Sequence, residues 1–306
     1  MDPRLKTELQ HLDGVDVRWH VPLADYTTWH VGGPATCLIR PHHLAGLQRA
    51  VQVLNTHTYP YFVLGRGSNV LVSDAGVRIA AITLEQAFSR VERPGPEGVV
   101  KAGAGLPLKN LLRQCLRWGL GGLEFVAGIP GSVGGAMRMN AGSYGRTMGD
   151  VCTALLLLHE DGSAARLPRQ ELSFSYRSLE LPRRTLILEA ELSLTPEAPD
   201  RIRAKVRELV ERRKATQPWR LPSAGSVFKN PPGDFAGRLI EAAGLKGYRI
   251  GDAQIAIEHG NFIVNCGRAR AGDIAALIQV AREKVFERFQ VKLELEIQVL
   301  GNDVKV

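Results

Sequence analysis

Two glycine-rich stretches of the sequence have the composition of loops that hold a phosphate-bearing ligand. The first, Leu64–Asn69, follows an apolar run that is typical of a strand. Glycine lets the main chain approach a phosphate closely, and successive amides can form an anion-binding nest. Ser68 and Asn69 can add side-chain donors. Because Gly-x-Gly after a strand is also common in plain turns, this stretch alone leaves a ligand site and a structural turn equally open.

The second stretch runs from Ala127 to Gly142 and carries glycine at positions 128, 131, 134, 135 and 142. Glycine at this density disfavours a helix and a central strand, so the pattern predicts a loop. A loop that is both glycine-rich and apolar suits a main chain wrapped against a flat, partly apolar ligand that carries phosphates. A flavin ring with its pyrophosphate is such a ligand.

Neither stretch fits the two common phosphate-binding fingerprints. Val70 stands where the third glycine of Gly-x-Gly-x-x-Gly would stand, and neither stretch ends in Gly-Lys-Ser/Thr. A Rossmann dehydrogenase and a P-loop kinase are therefore excluded. A flavin-binding fold of another kind is left.

The composition is that of an ordinary globular protein. Hydrophobic residues make up 44% and charged residues 23% of the 306 residues, and the chain is long enough for two or three domains. No signal peptide and no run of about 18 apolar residues is visible, so we expect no membrane span and a cytoplasmic location. The histidines lack ligand spacing, so we expect no metal site. The scattered cysteines are expected to be buried free thiols; they are Cys37, Cys115, Cys152 and Cys266.

The net charge of +8 leaves attraction of an anionic partner open. Basic residues cluster over 201–214, on a predicted helix with an apolar stripe of Ile202, Val206, Leu209 and Val210. A solvated helix face explains this cluster, and so does attraction of anionic small molecules such as nucleotides.

Short strands and helices must position the two glycine stretches. The periodicity predicts helices over His43–Asn55, Pro107–Trp118, Asp200–Lys214, Phe235–Ala243 and Ala271–Phe289, with Gly119–Gly122 ending the second and Asp273 capping the last. It predicts strands over Tyr61–Leu64, Arg78–Thr83, Gly98–Ala102, Ala154–His159, Thr185–Leu194, Asn261–Asn265 and Val291–Leu300. The middle of the chain is thus strand-rich α+β, without regular β-α-β alternation.

These motifs, in this order, resemble the family of UDP-N-acetylenolpyruvoylglucosamine reductases. The resembling segments are Thr28–Ala35, Gly65–Asn69, Glu124–Gly142, Phe174–Ser178, Ser223–Pro231, Leu239–Glu241, Gly244–Gly247, Asn261–Asn265 and Glu296–Gly301. Trp29, His30 and Arg66 depart from the family pattern, the last because glycine is frequent there. The interval from Arg177 to Ser226 is short, which resembles the shorter subtype without the tyrosine-bearing insertion that caps the substrate.

The resemblance implies an α+β fold class. A two-subdomain FAD-binding fold of the vanillyl-alcohol-oxidase/PCMH type, which is not a Rossmann fold, is expected beside a C-terminal α+β substrate domain. Residues 1–72, completed by 297–306, would form the first FAD-binding subdomain. Residues 73–198 would form the second, and residues 199–296 the substrate-binding domain.

The resemblance also implies an activity in peptidoglycan precursor synthesis. The hydride of NADPH would pass to N5 of FAD and then to UDP-N-acetylglucosamine-enolpyruvate, which becomes UDP-N-acetylmuramate. FAD is the expected cofactor and NADPH the expected co-substrate. Contact with nucleic acid or membrane is not expected, and the chain is expected to be a monomer.

The family motifs assign binding roles residue by residue. The implied cofactor-binding residues are Val31, Gly32, Gly33, Gly65, Arg66, Gly67, Ser68, Asn69, Gly128, Ile129, Pro130, Gly131, Ser132, Gly134, Gly135, Asn140 and Gly142. The implied substrate-binding residues are Tyr176, Arg213, Lys229 and Asn230. From the residues alone, Tyr176 is equally explained by packing in the core.

Three residues have implied catalytic roles. Arg177 would bind the substrate carboxylate through its guanidinium fork, although spacing alone favours a surface salt bridge. Ser226 would give a proton to the carbanion-like intermediate, although without the family it is a turn serine. Glu296 would stabilise the charged intermediate, and only the resemblance separates it from Glu294 on the same face of the predicted last strand.

Two other functions stay open at this point. A flavin-dependent oxidase of the same cofactor fold often tethers its flavin through histidine or cysteine, and His30 is the only histidine near a predicted cofactor-binding segment. A non-catalytic nucleotide- or nucleic-acid-binding protein would explain the positive charge. It would be colourless when purified, and its binding would depend on salt.

Overall fold

The computed structural model describes residues 2–92, 98–182, 184–301, 304 and 306. The helices are α1 (Pro3–Gln10), α2 (Leu44–Thr56), α3 (Leu108–Trp118), α4 (Val133–Arg138), α5 (Pro199–Thr216), α6 (Ala236–Ala242) and α7 (Ala271–Phe289). Single 3-10 turns lie at Leu23–Tyr26, Glu124–Val126, Met148–Asp150 and Arg169–Glu171. In the part of the chain that is described, no helix is long and apolar enough to cross a bilayer.

The strands are short and run through the whole chain. They are β1 (Val15–Pro22), β2 (Pro34–Pro41), β3 (Tyr61–Val63), β4 (Val70–Val72), β5 (Val77–Ile82), β6 (Val91–Glu92), β7 (Val99–Gly103), β8 (Leu120–Gly121), β9 (Gly142–Ser143), β10 (Arg146–Thr147) and β11 (Cys152–Leu158). The later strands are β12 (Ala164–Pro168), β13 (Ser173–Ser175), β14 (Ser178–Glu180), β15 (Leu186–Ser193), β16 (Thr195–Pro196), β17 (Ser223–Ser226), β18 (Arg249–Ile250), β19 (Ala253–Ile255), β20 (Phe262–Asn265) and β21 (Gln298–Leu300).

The predicted amphipathic helices are confirmed to within a few residues. In α3 the buried side chains Leu108, Leu111, Leu112 and Cys115 recur every three to four residues, which is the pattern that located the helix. The cap of α7 was predicted wrongly. The helix begins after Arg270, and Asp273 accepts the main-chain N–H of Arg270 at 2.9 Å from the third helical position.

Two further predictions of local structure were wrong. The glycine-dense stretch contains α4, because Ser132 caps it and Val133, Ala136 and Met137 bury its apolar side. The predicted strand Val291–Leu300 keeps its alternation, with Leu293 and Ile297 buried, but only β21 at its end pairs as a strand.

The chain divides into two compact units that are not contiguous in sequence. Unit 1 comprises Met1–Trp19, Thr36–Arg66 and Ile79–Val210, and unit 2 comprises His20–Ala35, Gly67–Arg78 and Glu211–Val306. The division into three domains expected from the resemblance stays a prediction.

Unit 1 is built on two sheets and the helices that cover them. One sheet has the order β1-β2-β5-β3, and the other, which is antiparallel, has the order β12-β11-β15-β7-β6. Leucines of β11 and β15 pack in one core with α2 and α3. The antiparallel sheet buries one charged side chain, that of Glu191 on β15, and Arg166 on β12 satisfies it through two hydrogen bonds of 2.8 and 2.6 Å.

Unit 2 packs α6 and α7 with a small antiparallel sheet of order β17-β20-β19-β18. Its core contains Ile274, Leu277 and Ile278 of α7 and Ile263 of β20. Trp29, a departure from the family pattern, is buried in this core and donates its Nε1–H to the Ile263 carbonyl at 2.7 Å. In the same unit β21 runs parallel to β4.

Candidate functional site

In unit 1 the first glycine stretch reaches the second. A Cβ atom on Gly65 would lie 2.6 Å from Ser132 Oγ, so a larger residue here would displace the Ser132 hydroxyl. Ser132 accepts the N–H of Gly135 at 3.4 Å and thereby caps α4. The main chain of Gly134 donates to the Ala104 carbonyl at 2.8 Å, which fixes the second stretch against β7 and its turn.

The surface formed by these two stretches fits a flat ligand that carries phosphates. Gly65, Gly128, Pro130 and Gly135 are exposed, and Ile129 lies half-buried among them. A bare main chain beside one apolar side chain is the kind of surface the sequence predicted for a flavin dinucleotide. The residues present therefore fit FAD.

Arg66 and Gly131 complete the predicted cofactor residues at this surface. Arg66 is exposed, and its ion pair with Glu85 has an N–O distance of 3.3 Å. Exposed pairs of this kind contribute little, so the guanidinium can turn to an anionic ligand at small cost. Gly131 accepts the N–H of Leu108 through its carbonyl at 3.0 Å.

The remaining residues of the first stretch belong to unit 2. Gly67 has a φ of +61°, and a Cβ atom there would lie 1.9 Å from the Tyr26 carbonyl oxygen, so no other residue fits. Asn69 donates its side-chain N–H to the Glu296 carbonyl at 3.0 Å. Ser68 is half-buried. The predicted cofactor residue Asn69 thus contacts the predicted catalytic residue Glu296.

Val31, Gly32 and Gly33 form part of the packing of unit 2. Val31 is buried, the carbonyls of Gly32 and Gly33 accept the N–H groups of Ala24 and Leu23, and Gly33 donates to Ser73 at 2.8 Å. These hydrogen bonds and the burial of Val31 give the segment a structural role. Its contact with a cofactor stays a prediction.

Arg177 lies at the tip of a hairpin in unit 1. Ser175 pairs with Ser178 across β13 and β14, so Tyr176 and Arg177 form a two-residue turn. Arg177 has a left-handed φ of 56° and donates from its guanidinium to the Gly142 carbonyl at 3.1 Å. A non-glycine residue in this conformation costs about 1 kcal/mol or more, and such strain clusters at functional sites.

The same hairpin is tied to the end of the second glycine stretch. Asn140 donates its side-chain N–H to the Ser175 carbonyl at 2.8 Å and accepts the N–H of Gly149 at 2.9 Å. The Tyr176 ring is exposed, and the Arg177 guanidinium lies 5.3 Å from its centroid. Unit 1 therefore brings together four residues predicted from two separate motifs; they are Asn140, Gly142, Tyr176 and Arg177.

In unit 2 the structure joins the segments of Ser226 and Glu296. Ser226 is the last residue of β17 and pairs with Phe262 of β20. The next residue, Val227, accepts the Glu296 N–H through its carbonyl at 2.8 Å. Both Ser226 and Glu296 are half-buried.

The other predicted substrate residues have local partners in unit 2. Lys229 forms an ion pair with Glu294 at 3.6 Å, and Asn230 accepts the N–H of Ala236 at the start of α6 through its side-chain oxygen at 3.0 Å. Arg213, in the last turn of α5, is 7% exposed and contacts Gln217 at 3.5 Å. Its role in substrate binding stays a prediction.

One buried amide beside Ser226 has no role in the sequence interpretation. Asn261 is 3% exposed, and its side chain makes two hydrogen bonds to the main chain of Phe228. The sequence contains a signal for it, since an asparagine that directly precedes an apolar strand is an unusual choice for the core. That signal does not say which segment the amide binds.

Comparison with known families agrees with this geometry. A family described as "FAD binding domain" matches residues 35–168, and a family described as "UDP-N-acetylenolpyruvoylglucosamine reductase, C-terminal domain" matches residues 217–300. The fold and the glycine surface thus define an FAD-binding oxidoreductase with an additional C-terminal domain. The predicted α+β fold class, without a Rossmann fold, and the predicted FAD cofactor are confirmed.

Relatives of known name cover almost the entire chain. A UDP-N-acetylenolpyruvoylglucosamine reductase of Halalkalibacterium halodurans is 41% identical over 97% of this chain and 99% of its own length. The one of Syntrophobacter fumaroxidans is 45% identical over 96% of this chain and 86% of its own. The crystal structure of the Thermus caldophilus reductase superimposes with a TM-score of 0.82 at 41% identity, covering 94% of this chain and 100% of that one. This chain belongs to the UDP-N-acetylenolpyruvoylglucosamine reductase family.

Proposed function

We propose that this protein reduces the enolpyruvyl ether of UDP-N-acetylglucosamine-enolpyruvate to UDP-N-acetylmuramate, with NADPH as the source of electrons. The observation that carries the proposal is the similarity to reductases of that name over nearly the entire chain. The shorter subtype, a monomeric state, a cytoplasmic location and the absence of nucleic-acid or membrane contact belong to the same proposal.

The reduction adds two electrons and two protons across the carbon–carbon double bond of the enolpyruvyl group. Bound FAD supplies the two-electron chemistry that links NADPH to this substrate. In unit 1, Gly65 and the segment from Gly128 to Gly135 would hold it, because their bare main chain leaves room for a flat ligand.

Arg177 would bind the carboxylate of the enolpyruvyl group. A guanidinium is a planar cation, and its fork of N–H donors matches a carboxylate. Negative charge grows on the carbon beside this carboxylate during reduction, so a fixed cation there stabilises the transition state. The hairpin and its bond to Gly142 hold the guanidinium in place before substrate arrives.

Ser226 would deliver the second proton to that carbon. A serine hydroxyl is a weak acid, and it serves here because the carbanion-like intermediate is a strong base. Glu296 would stabilise the intermediate as a protonated or cation-paired carboxyl. The bond between the Glu296 N–H and the Val227 carbonyl supports a joint role for these two segments.

The proposal is tested by separating the two half-reactions. The purified protein should carry flavin absorbance, lose it with NADPH under anaerobic conditions, and regain it when the enolpyruvyl sugar nucleotide is added. Reoxidation by oxygen alone would instead identify an oxidase. A colourless protein that binds oligonucleotides would identify a nucleic-acid-binding protein.

Ser226→Ala should leave the NADPH half-reaction unchanged and block reoxidation by substrate, because only the second step needs its proton. The loss should be about 100-fold or more in the substrate half-reaction, the usual contribution of a positioned acid. Substrate reoxidation near the wild-type rate would remove Ser226 from the mechanism and leave the assignment of the substrate untouched.

A further inference from the structure

The buried amide of Asn261 binds the segment that follows Ser226. Its Oδ1 accepts the Phe228 N–H at 2.9 Å, and its Nδ2 donates to the Phe228 carbonyl at 2.8 Å. Its own carbonyl accepts the Val227 N–H at 2.9 Å. One asparagine therefore holds three successive peptide units next to Ser226.

These bonds follow directly after an irregular stretch of the strand ladder. The register between β17 and β20 shifts between Ser223 and Ser226, and Gly225 in the irregular stretch has a φ of +75°. A bulge of this kind re-aims the side chain beside it and leaves main-chain groups without their regular partners. Two residues beyond the last paired residue of β17, the Asn261 amide bonds both main-chain groups of Phe228, which is 2% exposed.

The opposite edge of the same segment binds Glu296. The Val227 carbonyl accepts the Glu296 N–H at 2.8 Å, while the Glu296 carbonyl accepts the Asn69 side chain at 3.0 Å. The main chain of Val227 is thus bonded to Asn261 on one side and to Glu296 on the other. A change at Asn261 moves the segment that fixes both Ser226 and Glu296.

We propose that Asn261 is a positioning residue that sets the place of Ser226 relative to Glu296. It acts through the main chain of Val227 and Phe228. The inference rests on the proposed function, because it assigns to Asn261 the task of aiming the proton donor for the substrate half-reaction.

The strand β20 offers a matched control at its other end. Asn265 is 5% exposed, and its amide bonds the main chain of Trp29, Gly267 and Ala269, none of which adjoins Ser226. Asn261→Ala and Asn265→Ala each remove one buried amide from the same sheet. Both variants should therefore lose thermal stability to a similar extent.

The two variants should differ in the half-reactions when both are saturated with FAD. Asn261→Ala should slow reoxidation by substrate by roughly 10- to 100-fold, because a misplacement of about 1 Å can have that effect, and should leave reduction by NADPH unchanged. The solvent isotope effect on reoxidation should rise as protonation becomes limiting. Asn265→Ala should keep wild-type values for both half-reactions. Equal reoxidation rates in the two variants would overturn the inference.

Asn261→Asp is a second test, in which the side chain keeps nearly the same size and shape. A protonated carboxyl can bond both Phe228 groups as the amide does, whereas an ionised one faces the Phe228 carbonyl without a donor. Reoxidation in this variant should therefore recover as the pH falls, and Asn265→Asp should show no such recovery. His259, whose Nδ1 accepts the Asn261 N–H at 3.2 Å, is also present in the wild type, so the pH profile of wild-type reoxidation is the reference for its contribution.

Failure of this inference can be told from failure of the proposed function. If Ser226→Ala reoxidises normally, the proton donor is wrong, whatever Asn261 does. If Ser226→Ala is blocked while Asn261→Ala and Asn261→Asp reoxidise like their controls at every pH, only the positioning role is wrong.

Discussion

Glu294 and Glu296 have different surroundings, although the sequence pattern places both on one face of the last segment. The Glu294 side chain is 78% exposed and forms an ion pair of 3.6 Å with Lys229. Glu296 is half-buried, and its main chain is bonded both to Val227 and to Asn69. The structure therefore distinguishes the two residues, and the catalytic role of Glu296 stays a prediction.

A pair of amide substitutions tests this choice. Glu296→Gln should slow reoxidation of the reduced flavin by substrate about 100-fold, because a positioned ionisable group contributes on that scale. Glu294→Gln should stay within about twofold of the wild type, because exposed ion pairs contribute about 0–1 kcal/mol. Anaerobic stopped-flow absorbance measures both rates. A larger effect of Glu294→Gln would reverse the assignment.

At the scale of elements, β15 carries an ion pair inside the antiparallel sheet of unit 1. Glu191 is 8% exposed, and hydrogen bonds from Arg166 hold the pKa of its carboxyl below the usual value. The unfolded chain therefore takes up a proton at a higher pH than the folded one. Stability from this pair is present above the usual carboxyl pKa and is lost as the pH falls through the lowered pKa.

Glu191→Gln should remove this part of the acid dependence. The difference in unfolding free energy between wild type and variant should be largest near neutral pH and shrink below about pH 4, where the unfolded carboxyl is protonated. Denaturant titrations at several pH values measure it. Glu189 is present in both proteins, and its raised pKa comes first from burial; the smaller contribution of the Glu191 charge to that pKa is lost in the variant. A difference that grows on acidification would contradict the assignment.

The helices show where the apolar pattern of the sequence predicts secondary structure correctly and where it does not. Periodicity located α2, α3, α5 and α7, because each has an apolar stripe that recurs every three to four residues. It missed α4, where the Ser132 cap and three buried apolar side chains outweigh the cost of two glycines. The glycines do disfavour a helix locally, but the burial of apolar side chains in the folded protein outweighs that preference.

At the scale of the whole molecule, the cysteines are divided unequally between the two units. Cys37, Cys115 and Cys152 are buried in unit 1, and burial raises the pKa of these thiols to about 12, 12 and 11. Cys266, in unit 2, is only half-buried. The prediction of buried free thiols is confirmed for the first three, and Cys266 is the exception.

Thiol labelling should follow this division. In the native protein one equivalent of an aromatic disulfide reagent should react at neutral pH, because only Cys266 is accessible and the thiolate is the reacting form. Cys266→Ser should abolish this native reaction. Full denaturation should release four thiols in the wild type. More than one fast native thiol would show that unit 1 opens readily.

The sequence by itself determined most helices and the two glycine stretches, and its family resemblance implied the class of cofactor fold and the site residues. Glycine spacing and apolar periodicity are local properties, so they can be recognised in the sequence without the structure. The tertiary structure decided which of these residues meet. Asn69 and Glu296 are 227 residues apart, and Trp29 and Ile263 are 234 apart, yet each pair shares a hydrogen bond. Such contacts depend on how the elements of each unit pack, which no local preference encodes.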